Sequence, residues 1–136
     1  MAKTFNLFIS HSWSYSDAYE KFCNLLNNAS NFSYKNYSVP KDDPIHNAPT
    51  SQALYNAIRT QMAYCHVVII MAGKYATYSD WINKEIKCAT QDLRKPILGV
   101  KPWANTQVSS VVNDNADLLV GWNTSTIVDG IRQISL

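Results

Sequence analysis

The chain predicts an α/β fold with a central parallel five-stranded sheet flanked by helices on both faces. Three observations carry that expectation. β-rich segments and stretches of helical spacing alternate almost throughout the 136 residues. "VVIIMA" (67–72) is apolar at every position and rich in β-branched residues, as a strand buried on both faces requires. No internal repeat, low-complexity tract or linker breaks the pattern, so a single domain is expected over residues 1–136, long enough to bury one core.

The elements follow in order. "TFNLFIS" (4–10) is a β-rich opening strand, and in "YSDAYEKFCNLL" (15–26) Tyr15, Ala18, Tyr19, Phe22, Leu25 and Leu26 recur at helical spacing. A polar stretch (27–36) leads to a short strand, "YSVP" (37–40), and Pro and Asp make "KDDPIHNAP" (41–49) a loop. "TSQALYNAIRTQMAYC" (50–65) carries Leu54, Ala57, Ile58 and Met62 on one helical face, with Thr50 or Ser51 as N-cap. "HVVIIMAG" (66–73) is the central strand. A helix over 79–93 has the stripe Ile82, Ile86, Ala89 and Leu93, with Asp80 four residues before Lys84 in the favourable acid-before-base order. "PILGV" (96–100) is a strand, Lys101 to Asp117 a long polar connection, "DLLVGW" (117–122) the last strand, and a final helix runs from about Thr124 to Ser135. This layout is flavodoxin-like, and such sheets bind ligands at the carboxyl ends of their strands, near the switch in strand order.

Composition excludes several functions. A net charge of +2, with no run of Lys or Arg, points to neither a nucleic-acid nor a membrane partner. Charged residues make up 16% of the chain against a usual ~25%, which favours self-association or a protein partner. Cys23, Cys65 and Cys88 show neither a disulfide framework nor zinc spacing. "MAKTFNLFIS" turns polar too early for a signal sequence, and the longest apolar run, "VVIIMAG", is too short to span a bilayer. The expected location is the cytoplasm.

The expected carboxyl ends present "SHSW" (10–13), "PKDD" (40–43), "GKYATYSDW" (73–81), "KPW" (101–103) and "GWN" (121–123). Trp13, Trp81, Trp103 and Trp122 all fall at or near this edge, where a flat heterocycle could stack; for any single one, core capping is the favoured reading. His11, His46 and His66 share no metal-ligand spacing, so no metal is expected. Ser10 and His11 are adjacent on a strand and point to opposite faces, and no G-x-S-x-G elbow accompanies them. The four glycines form no phosphate cradle. The Ser-rich "SHSWSYS" (10–16) suits a phosphate at a helix start, as in a flavin binder, or ordinary turn and cap chemistry.

One carboxylate raises a question. At about 100° per residue, Glu85 sits roughly 60° from Ile82, at the edge of the buried stripe beside Trp81. Its helical neighbours are Trp81, Ile82, Cys88 and Ala89, none of them basic. The default for a lone helical Glu is a solvated side chain.

"FISHSW" after the first strand, "YSVPKDDPI" as second strand and loop, and "YSDWINKEI" at a helix start resemble a TIR-like domain. More narrowly, the chain resembles the TIR-like component of the bacterial Thoeris anti-phage defence systems, from about Lys3 to Ser135. The most specific element is Ser79-x-Trp81 followed four residues later by Glu85. The resemblance implies that Glu85 is catalytic in breaking the nicotinamide–ribose bond of NAD+, which is substrate and not a resident cofactor. It also implies substrate contacts from Phe8, Ser10, His11, Trp13, Lys41 and Trp81, with Lys41 near the pyrophosphate. The implied product is a cyclic ADP-ribose isomer that activates a separate effector protein. The alternative is a non-catalytic TIR-like interaction or scaffold module. Plant and animal TIR domains carry a Gly-bearing assembly loop after the second strand, whereas "PKDDPIHNAP" contains no Gly.

Overall fold

The apolar run at the centre of the chain forms β3 (Val67–Met71), and every residue of it is buried. A strand without an exposed face needs neighbours on both edges and helices on both faces. The computed structural model describes residues 4–10, 18–30, 32–37, 51–72, 80–101 and 110–135. In it β3 pairs in parallel with β1 (Thr4–Ile9) on one edge and β4 (Ile97–Val100) on the other. β2 (Ser33–Asn36) lies outside β1 and β5 (Leu118–Val120) outside β4, giving the order β2-β1-β3-β4-β5, all parallel. This is the five-stranded flavodoxin-like sheet that the alternation predicts.

Side-chain alternation sorts the core into two layers. Phe5, Leu7 and Ile9 of β1 and Val67, Ile69 and Met71 of β3 pack with α1 (Ala18–Asn27) through Phe22 and Leu26, and with α5 (Thr124–Ile134) through Ile127 and Ile131. The intervening residues, Phe8, Val68 and Ile70, pack on the opposite face. There they meet Ile58 and Met62 of α2 (Ser51–Met62), Ile82 and Ile86 of α3 (Asp80–Lys87) and Val112 of α4 (Ser110–Asn115). Gly99 leaves room for that second face at β4. A Cβ there would stand 2.8 Å from Leu119 Cδ1 and 3.2 Å from Val112 Cγ1, so any larger residue has to displace those side chains.

Three elements differ from expectation. β2 is Ser33–Asn36 and not the strand expected over 37–40; residues 38–40 lie outside the described residues. As a sheet-edge strand in which Tyr34 is the one partly buried residue, β2 has no buried face to impose an apolar alternation. α4 interrupts the polar connection expected from Lys101 to Asp117, and Val112 is the buried anchor among its described side chains. The helix expected over 79–93 is α-helical through Lys87 and then widens into a π-helical turn, Cys88–Asp92, in which the Leu93 N–H donates to Cys88 O at 2.9 Å.

Two consequences are measurable. Gly99→Val forces a side chain into the Leu119 and Val112 contact and should lower stability by about 1–3 kcal/mol in urea unfolding. The Cys65 thiol, 1% exposed, is pushed from 9.0 up to about 12 by burial, with Lys95 drawing it back slightly. A raised folded-state value favours the neutral thiol, so its contribution is complete below pH 9.0 and is lost as the pH rises towards about 12. Cys65→Ala should therefore flatten the decline in stability over that alkaline range.

Candidate active site

Strand order reverses between β1 and β3, so their carboxyl ends frame the crevice in which sheets of this kind bind ligands. Ser10 extends β1 by one rung, donating its N–H to Ile69 O at 3.0 Å. Ala72 does the same for β3, donating to Val100 O at 2.8 Å. Continued alternation puts Ser10 on the face of Phe8, and Ala72 joins Ile70 in the layer under α2 and α3.

α3 enters that layer after the carboxyl end of β3. Ile82 and Ile86 anchor it in the core, and Glu85 between them is 1% exposed. The solvated reading of this carboxylate is thereby excluded. Glu85 lies deeper than a single-helix projection indicates because α2 packs against both α3 and the π-helical turn and covers the edge of the stripe. One carboxylate oxygen, Oε1, is buried and receives no hydrogen bond from the described residues, although the residue is engaged in other interactions. Among the described residues, Ser10 and Glu85 are the buried polar side chains. Burying a carboxylate costs several kcal/mol that packing alone does not return.

The remaining predicted positions divide clearly. Phe8 is fully buried in the same layer and forms its floor. His11, Trp13 and Lys41 lie outside the described residues, and Trp81 is on α3 one turn before Glu85 with its side chain outside the described set. Trp122 is on the other face, its ring 6.0 Å from that of Phe22. A groove of about 610 Å3 on that face is lined by Leu25, Trp122, Thr124, Asp129 and Arg132 among others, and by none of the residues that the TIR-like resemblance implicates. His66 lies at the amino end of β3, where its Nδ1 accepts the Asn6 N–H at 2.9 Å.

Behind Glu85, α2 meets the π-helical turn through polar contacts that sequence reasoning missed. The Tyr55 hydroxyl donates to the Asp92 carboxylate, and Arg59 Nε stands 3.9 Å from the same oxygen. Lys87 Nζ lies 5.2 Å from the centre of the Tyr55 ring. Burial, and then the hydrogen bond to Asp92, push the Tyr55 phenol upward, so it stays protonated and donating. Burial also raises the Cys88 thiol; its contact with Tyr55 and the Arg59 charge oppose that, while Asp92 and Glu85 add to it.

The family model of Thoeris protein ThsB, TIR-like domain, matches residues 8–107. The chain belongs to this family. The matched span runs from Phe8 in β1 past Glu85 in α3 and includes every predicted site position. The comparison with curated proteins gives no match. Family membership gives this TIR-like domain a role in Thoeris defence. Among the described residues, no helix is long and apolar enough to cross a membrane.

Because Phe8 is 0% exposed, its truncation reports on packing and not on ligand contact. Phe8→Ala should cost about 3–5 kcal/mol in chemical denaturation.

Proposed function

We propose that this TIR-like domain cleaves the nicotinamide–ribose bond of NAD+ with Glu85 as its catalytic residue, and that it releases a cyclic ADP-ribose isomer as a signal to a separate effector protein. The observation that carries the reading is the burial of Glu85, 1% exposed, in the layer that also holds Ser10 at the β1/β3 switch point. A carboxylate kept there at a cost in stability suits chemistry that needs a fixed anion.

Cleavage breaks the bond between the ribose anomeric carbon and the nicotinamide nitrogen. The bonding pair leaves with nicotinamide, which departs neutral because its ring nitrogen was cationic, so no general acid is needed. The ribosyl carbon becomes oxocarbenium-like, as in glycoside hydrolysis. An anion at that carbon, or bonded to the ribose hydroxyls, stabilises the developing charge more than the ground state. Capture by water, with loss of a proton, gives ADP-ribose. Capture by a nitrogen of the adenine or a hydroxyl of the distal ribose gives a cyclic isomer lighter by one water. Thoeris family membership favours the second course. His11, Trp13, Lys41 and Trp81 complete the proposed pocket, with the aromatic rings against the bases and Lys41 near the pyrophosphate.

The test is to incubate concentrated wild type and Glu85→Gln with NAD+, with and without extract of phage-infected cells, and to follow products by chromatography and mass spectrometry. Wild type should release nicotinamide and a product lighter than ADP-ribose by one water, and Glu85→Gln should fold normally and release neither. ADP-ribose alone would make the protein a hydrolase. Equal turnover by the variant would remove Glu85 from the mechanism, and no turnover under any condition would favour the interaction module.

A further inference from the structure

The helix that carries Glu85 is short and ends soon after it. α3 has eight residues, Asp80–Lys87, below the roughly 12–15 at which a helix holds itself in water. Its orientation therefore comes from packing. Beyond Lys87 the α-helical ladder gives way to the π-helical turn, and the chain leaves through Arg94 at φ 52, with the Lys95 N–H donating to Ala89 O at 2.7 Å. A π-helical turn advances side chains by a smaller angle per residue, so the rotation of α3 is not inherited from a continuous helix behind it.

What holds the turn comes from one residue of α2. Tyr55 receives Lys87 on its ring, Cys88 Sγ at its carbonyl oxygen at 4.0 Å, and the Asp92 carboxylate at its hydroxyl. These partners stand two, three and seven positions after Glu85. Arg59 also reaches Asp92, but its side chain is 55% exposed and the pair contributes little. The Thr90 hydroxyl closes the near end of the turn on Ile86 O at 2.8 Å. The turn leads by way of Pro96 into the start of β4, which in a parallel sheet is the end opposite the switch point, and Asp92 lies on that turn, while the Tyr55 carbonyl stands level with Cys88, three positions after Glu85.

We propose that the Tyr55–Asp92 hydrogen bond, closing α2 onto the π-helical turn, is a positioning clamp that sets the rotation of α3 and thereby holds the Glu85 carboxylate in its working orientation. The catalytic meaning of the clamp rests on the reading of Glu85 given above. A displacement of about 1 Å in a catalytic group can cost on the order of 100-fold in rate, so a contact this remote has a kinetic signature.

The chain has two glutamates, Glu20 and Glu85, which makes the carboxylate observable. The full chain with 13C-labelled glutamate side-chain carboxyls gives two resonances, and Glu85→Gln assigns them. Tyr55→Phe removes one oxygen and should shift the Glu85 resonance while leaving that of Glu20 in place. It should also lower kcat for nicotinamide release by about 10- to 100-fold with KM changed less than about threefold. Asp92→Asn should act in the same direction, and the double variant should add little because both remove one bond. Thr60→Ala, exposed on α2 with its hydroxyl on Asn56 O, should alter neither readout. A folded Tyr55→Phe with an unmoved Glu85 resonance and unchanged kcat overturns the clamp. If wild type releases no nicotinamide, the catalytic reading fails, and the resonance alone then decides whether Tyr55 holds the carboxylate.

Discussion

Burial of β3 on both faces is the constraint from which the rest of the molecule follows. Five consecutive apolar residues cannot be half-solvated, so Val67, Ile69 and Met71 require α1 and α5 on one side, and Val68 and Ile70 require α2 and α3 on the other. Its backbone N–H and C=O groups require a partner on each edge, which β1 and β4 supply in parallel. The second strand lies outside β1, and the order reverses beside β3. The crevice at that reversal is a by-product of satisfying one strand.

The two helical layers are not equivalent. The layer of α1 and α5 is apolar where it is buried, with Phe22 tilted against the half-buried Trp122 and Phe5 stacked on the half-buried Phe32. The layer of α2, α3 and α4 contains both buried polar side chains of the described residues, Ser10 and Glu85. A core built for stability alone would fill such positions with Leu or Ile. The asymmetry is what a site carved into a load of apolar packing looks like, and it falls on the side of the sheet facing the helix that follows the central strand. The polar contacts from Tyr55 to the π-helical turn belong to the same layer and brace it from α2.

Much of this was legible in the sequence because the relevant signals are local. "VVIIM" states its double burial by composition, and the stripes through Phe22 and Leu26 and through Ile58 and Met62 state their helical faces. Glu85 was singled out by the chemistry of its helical neighbours and by the residues around it that resemble a TIR-like domain. β2 and α4 were illegible for one reason: each buries too few side chains to impose a period, so neighbours and not propensity decide where they form.

The sequence by itself determined the alternation of elements, the doubly buried centre and the identity of the unusual carboxylate, because each depends on residues within a turn or two of one another. Only the tertiary structure decided that Glu85 is buried and not merely at the rim, that Ser10 joins it on one face, and that the helix behind it opens into a π-helical turn gripped by Tyr55. Those outcomes depend on α2, whose Tyr55 stands 37 residues from Asp92 along the chain. No local pattern encodes a contact at that separation; the sheet creates it by bringing α2 and α3 side by side.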